Sequence, residues 1–165
     1  MITMRLFKHL FSPAWLMYRR FPAAVLTDIQ RAITTTEREH GGELRFVVEH
    51  ALEPMQIWQG LTARERALQV FGQLRVWDTE ANNGILVYVL LAERAVEIIA
   101  DRGIARRVPQ PQWDQLCVQL QACFAQRRYR DGALLAVEAS ATMLRQHYPA
   151  SGARSNELPD QPVLL

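Results

Sequence analysis

Apolar positions recur along this chain with two distinct periods. From Pro22, the residues Val25, Leu26, Ile29, Ala32 and Ile33 return at helical spacing until Gly41-Gly42 ends the pattern. Leu44, Phe46 and Val48 then alternate with Arg45, Val47 and Glu49, which predicts a strand with one mixed face. Pro54 to Gly60 reads as a loop. Thr62 followed by Glu65 fits a capping box, in which hydroxyl and carboxylate each accept one orphan helix amide. Ala67, Val70, Phe71 and Leu74 continue that helix inward to about Trp77. A polar turn from Asp78 to Gly84 leads into Ile85–Leu91, apolar on both faces as a doubly covered strand must be. Ala92–Arg94 turns the chain back into Ala95–Ala100. Two more helical stripes come next, Trp113, Leu116, Cys117, Leu120, Phe124 and then Leu134, Val137, Ala141, Leu144, the second capped by Asp131 and ended by Tyr148-Pro149.

The order is helix, strand, helix, strand, strand, helix, helix. Strands joined through a helix are parallel with a right-handed crossover, and strands joined by a tight turn are antiparallel. The predicted fold class is therefore α/β: a three-layer α/β/α sandwich with a small mixed sheet and helices on both faces. The chain divides into a basic amphipathic N-terminal segment (1–21), one domain (22–149) and a tail (150–165) expected to be disordered.

At 165 residues and 49% hydrophobic, the chain suits one domain with one sizeable core. A net charge of +2 carries no broad basic face, so nucleic acid is not an expected partner. Lys8 is the single lysine among 19 basic residues, a coding bias rather than a phosphate signal. Cys117 and Cys123 lie six apart on a helix, on different faces, and read as buried free thiols in a reducing compartment. The longest apolar run, Ile85–Ala92, falls far short of the roughly 20 residues of a membrane span. The N-terminal stretch has no uninterrupted apolar core of a signal peptide. The expected location is cytoplasmic.

Residues 1–20 change that picture locally. Arg5, Lys8, Arg19 and Arg20 stand there with no acidic residue, interleaved with Leu6, Phe7, Leu10, Phe11, Trp15, Leu16 and Met17. Such a segment either packs on its own domain or lies on an anionic membrane or partner surface.

The predicted topology gathers chemistry at one place. The second strand begins after Asn82-Asn83-Gly84, its antiparallel partner ends at Asp101-Arg102-Gly103, and the parallel first strand begins after Gly41-Gly42-Glu43. Asp78, Glu80, Asn82, Asn83 and Asp101, with Glu43, should therefore meet at one sheet edge. Their oxygens are hard ligands suited to calcium or magnesium. The same residues also read as turn chemistry, because asparagine and glycine tolerate positive φ and Asp101 can cap the loop after its strand. The four histidines are scattered, in surface or capping roles, and Arg127–Arg130 reads as a solvated helix-to-helix turn or an anion-binding patch. No nucleophile elbow, phosphate loop or dinucleotide fingerprint is present.

The run from Asn83-Gly84 through the two strands to Asp101-Arg-Gly-Ile104 resembles the core of the TPM domain family. That family includes thylakoid-lumen, photosystem-repair and receptor-modulator proteins. Trp77-Asp-Thr-Glu before the run and Tyr129-Arg-Asp-Gly-Ala-Leu-Leu135 after it are similar to a shorter bacterial branch, over roughly residues 24–148. The resemblance implies the same α/β/α sandwich, and it implies acid phosphatase activity and divalent-metal binding at Asn82, Asn83, Gly84 and Asp101. Many members carry Asp where Asn82 stands, so this loop has one negative charge fewer. Two functions are expected. One is an accessory or binding domain for a membrane-associated process, with a protein partner and peripheral membrane contact through residues 1–20. The other is a phosphatase assisted by calcium or magnesium, with Asp78 or Asp101 as ligand or base, Arg102 on the phosphate, and Gly84 and Gly103 shaping the loops.

Overall fold

The computed structural model describes residues 2–151 and 156–165. The elements are α1 (Ile2–Leu10), α2 (Ala14–Arg20), α3 (Ala23–Thr36), β1 (Glu43–Glu49), α4 (Pro54–Trp58), α5 (Ala63–Gln73), β2 (Gly84–Leu90), β3 (Ala95–Ala100), α6 (Arg102–Ala105), α7 (Gln110–Ala125), α8 (Tyr129–His147) and β4 (Val163–Leu164). The sheet runs β3-β2-β1-β4, with β1 parallel to β2 and to β4, and β2 antiparallel to β3. This is the three-layer arrangement expected from the pattern.

Each face of the sheet is closed by its own core. Leu44, Phe46, Val48, Ile85, Val87 and Val89 pack beneath α3, α7 and α8. Val47, Leu86, Tyr88 and Leu90 pack beneath α5, with Ile57 of α4. Every residue of β2 is buried, as its double-sided apolar sequence requires. The Thr62–Glu65 capping box forms at the start of α5.

Four expectations change and one narrows. Pro54–Gly60 is not all loop: Glu53 and Gln56 form a second capping box, and Pro54 occupies the first turn of α4. The α5 helix stops at Gln73 instead of running to Trp77, since Arg75 takes a positive φ of 52°. Asp131 does not cap α8; it sits in the first turn, paired with Arg128 at 3.0 Å. His9 and His40 are buried, and of the two roles expected they take the capping one, each Nδ1 accepting a backbone amide, from Leu52 and Gly42. The tail expected to be disordered from 150 is ordered at its far part. Val163 and Leu164 pair with Val47 and Val48, and the Leu165 amide donates to Val48 O at 2.9 Å. Residues 152–155 of that expectation lie outside the described residues.

The N-terminal helices are joined to the domain at the Leu90 end of the sheet. Arg5 Nε contacts Glu93 at 2.5 Å in the β2–β3 turn. His9 is clamped between two groups: its Nδ1 accepts from the Leu52 amide at 2.8 Å, so Nε2 carries the proton toward Glu93 at 2.8 Å. Met17 and Phe21 then enter the core under α3 and α8.

Candidate functional site

The opposite end of the sheet, where Gly84 begins β2, is where three chain segments converge. Asn82 adopts a φ of 52°, so the left-handed turn falls on the asparagine. Its backbone O accepts from the Gly103 and Ile104 amides at 2.9 and 3.3 Å, and its side chain accepts from Arg102 Nε at 3.2 Å. Both glycines serve close approach. A Cβ on Gly84 would run into the carbonyl oxygen of Val76, and one on Gly103 would meet the Asn82 and Ala81 carbonyls.

Asn83 and Asp101 are both buried. Asn83 donates from Nδ2 to Gly41 O at 2.8 Å, and its amide donates to Thr79 Oγ1 at 3.1 Å. Asp101 caps α6, its Oδ1 accepting from the Arg102 amide at 2.7 Å, while its own amide donates to Gly84 O at 2.8 Å. One oxygen of each side chain remains: Asn83 Oδ1 and Asp101 Oδ2 are buried and accept no hydrogen bond. An oxygen stripped of water and left unbonded costs about 1–3 kcal/mol, so two on facing segments require an explanation.

The sequence-predicted set thus divides. Asn82, Asn83, Gly84, Asp101, Arg102 and Gly103 come together. Asp78 is exposed in the preceding turn. Glu43 is fully buried but turned to the far part of the chain, where its carboxylate accepts from the Glu157 and Leu158 amides, each at 3.2 Å. Glu80 donates its amide to Glu157 at 3.0 Å and is exposed.

Sequence reasoning missed the neighbouring cleft. Arg102, Arg106 and Arg107 line an open cavity of about 490 Å³ with Ala81, Asn82, Gly103 and Tyr148. Arg107 lies 4.4 Å over the Tyr148 ring and donates to His147 O at 2.7 Å, which fixes its head at the cleft wall. The signal was the one-turn spacing of Arg102, Arg106 and Arg107, invisible while residues 102–105 were not read as helix.

Does this edge fit a hard divalent cation? Among the described residues no group of three or more His, Cys, Asp and Glu side chains is placed to hold a metal. The donor set here is of another kind, one carboxylate oxygen and one amide oxygen, both without donors. Both are hard oxygen donors, the type that calcium and magnesium take and soft metals do not, with one carboxylate charge between them. Asn82 is already engaged by Arg102 and contributes to the turn.

The half-buried Cys117 is not an activated nucleophile. Burial pushes the Cys117 thiol pKa up, with Glu97 adding to the effect, so the thiol is held protonated. Tyr88 is buried against Glu49.

A mixed four-stranded sheet in an α/β/α sandwich, with an oxygen-lined loop edge beside an arginine cleft, defines the class. The TPM domain matches residues 20–143, and the chain belongs to the TPM domain family. Its fold superposes on the NMR structure of the BA42 protein from the psychrophilic bacterium Bizionia argentinensis with a TM-score of 0.76. The two are 27% identical, with 86% of this chain and 93% of that one covered. No curated protein matches the chain significantly.

Proposed function

We propose that this is an accessory binding domain whose sheet edge holds a calcium or magnesium ion at Asn83 and Asp101 and receives an anionic group of a protein partner in the cleft of Arg102, Arg106 and Arg107. The observation that carries the reading is the pair of buried oxygens, Asn83 Oδ1 and Asp101 Oδ2, that no donor reaches. A cation there supplies the partner both lack, and the arginines beside it favour carboxylate or phosphate. The free, half-buried cysteines fit a cytoplasmic location.

The same cleft supports a second reading, a divalent-metal-assisted acid phosphatase. A bound cation would polarise a phosphoryl oxygen or activate water. Arg102, exposed at the cleft and tied to Asn82, would steady the phosphate, and Asp101 would hold the ion.

Calorimetric titration of calcium and magnesium into the wild type and Asp101→Asn tests both. The asparagine retains an oxygen to cap α6 and removes the charge. Binding in the wild type weakened tenfold or more in the variant, about 1.4 kcal/mol, is the expected result. A wild type that takes up neither ion refutes the site. Hydrolysis of a generic phosphomonoester that Asp101→Asn leaves unchanged removes the phosphatase reading alone.

A further inference from the structure

The helices α1 and α2 present two unlike faces. On α1, Arg5, Leu6 and His9 fall within one sector and make the contacts to Glu93, Leu61 O, Leu52 and the core under α5. Met4, Phe7 and Phe11 fall on the opposite sector and are exposed, Phe11 at 76%. Phe7 and Phe11 stack on each other at 5.9 Å. Trp15 and Tyr18 of α2 continue outward, Trp15 at 60% exposure, while Met17 between them is buried. On α4, which packs against α1, Met55 and Trp58 are exposed as well.

Charge accompanies the aromatics. Residues 1–20 contain no acid, and Lys8, Arg19 and Arg127 make no ion pair among the described residues. Arg19 and Arg20 face Arg127 and Arg128 of the α7–α8 turn, and Arg130 and Asp131 of α8, across an open groove of about 670 Å³. Three of these five arginines are engaged: Arg128 with Asp131, Arg130 with Asp28, and Arg20 over the Tyr129 ring at 5.3 Å.

We infer that this face docks on an anionic phospholipid bilayer, with Phe7, Phe11, Trp15 and Tyr18 in the interface and Lys8, Arg19 and Arg127 on the headgroups. Trp and Tyr are the side chains that settle at a membrane–water boundary, and the acid-free segment 1–20 with the unpaired Lys8, Arg19 and Arg127 complements an anionic leaflet, Asp28 and Asp131 being already neutralised by Arg130 and Arg128. A second copy of the chain is a poorer occupant, because a twofold contact would set these cations against their own copies. No helix among the described residues is long and apolar enough to cross a membrane, so contact is at the surface. This inference is independent of the cation site.

The test is vesicle flotation in the presence of a chelator, comparing phosphatidylcholine with phosphatidylcholine containing ~30 mol % phosphatidylglycerol. The wild type is expected to float with the anionic vesicles only, less so at high salt, and its tryptophan emission to shift to the blue, a shift that Trp15→Phe should reduce. Phe11→Ser, at an exposed position that leaves the fold intact by circular dichroism, should weaken binding about tenfold. Arg19→Glu with Arg127→Glu should abolish it. Three results overturn the proposal: a wild type that stays at the bottom of the gradient with both vesicles, binding that neither variant reduces, or a wild-type dimer that Phe11→Ser makes monomeric without any vesicle binding. The last would assign the face to a second copy.

Discussion

Single residues in this protein hold positions that alternatives could not. Tyr88 is the clearest case. It stands fully buried on β2, its hydroxyl donating to Glu49 Oε2 at 2.6 Å, while Arg66 grips the same carboxylate from Nε and Nη2 at 2.9 and 3.0 Å. Burial first, then the Glu49 charge, push the Tyr88 pKa far above its ordinary value. The folded state therefore keeps a proton that the unfolded chain releases near pH ~10. The stability tied to that proton is complete below pH ~10 and falls as pH rises beyond it. Tyr88→Phe removes a hydrogen bond to a charged acceptor and is expected to cost about 1.5–3 kcal/mol at neutral pH. It should also flatten the alkaline limb of the stability curve, because phenylalanine does not titrate. Urea unfolding of both proteins across the neutral and alkaline range measures this. An equally steep alkaline loss in the variant would assign the limb to other groups.

Elements differ in how openly the sequence announced them, and the reason is length. The strand β2 is a seven-residue run buried on both faces, and the helices α7 and α8 repeat their period several times, so all three could be read from the chain. The four-residue α6 and five-residue α4 complete barely one turn, and their stabilising contacts are caps, not stripes. The two-residue β4 has no readable period, and Pro159 and Pro162 before it look like loop. Its pairing is tertiary: β1 would otherwise be an edge strand, and Thr34 to Asp160 and Arg45 Nη1 to Gln161 O at 3.2 Å hold the approach. Stopping the chain after Leu158 uncovers that edge. The expected result is a loss of about 2–4 kcal/mol and concentration-dependent association, since a bare strand edge templates pairing. Thermal melts with light scattering decide it. An unchanged melting temperature and a monodisperse sample would show that β4 adds nothing to stability. The site edge was legible for the same reason as β2: once strand directions are fixed, so are the positions of Asn83 and Asp101. Their unbonded oxygens and the Arg106–Arg107 wall were not legible, because both depend on which donors reach them in three dimensions.

The whole molecule separates its two candidate surfaces. The helix α8 runs between them, Tyr129 packing on Phe21 near the Arg127 groove and Tyr148, just past its end, reaching Gly103 at the Asn83–Asp101 edge. Nineteen helical residues span roughly 28 Å. The seven residues of β2 give about 20 Å between the Gly84 and Leu90 ends. Both exceed the ~8–10 Å over which salt leaves charges coupled, so a cation at Asp101 should not alter the field at Lys8 or Arg19. Sites this far apart with no shared partner are expected to act additively. Asp101→Asn should therefore change cation uptake and leave flotation with anionic vesicles within about twofold, and Phe11→Ser should do the reverse. The double variant should show the sum of the two. A coupling above ~0.5 kcal/mol in that cycle, measured with magnesium so that calcium does not bridge lipids, would mean that α8 or the sheet transmits between the ends. Independence would instead make the domain a two-sided adaptor, held to the bilayer at one end and open to its partner at the other.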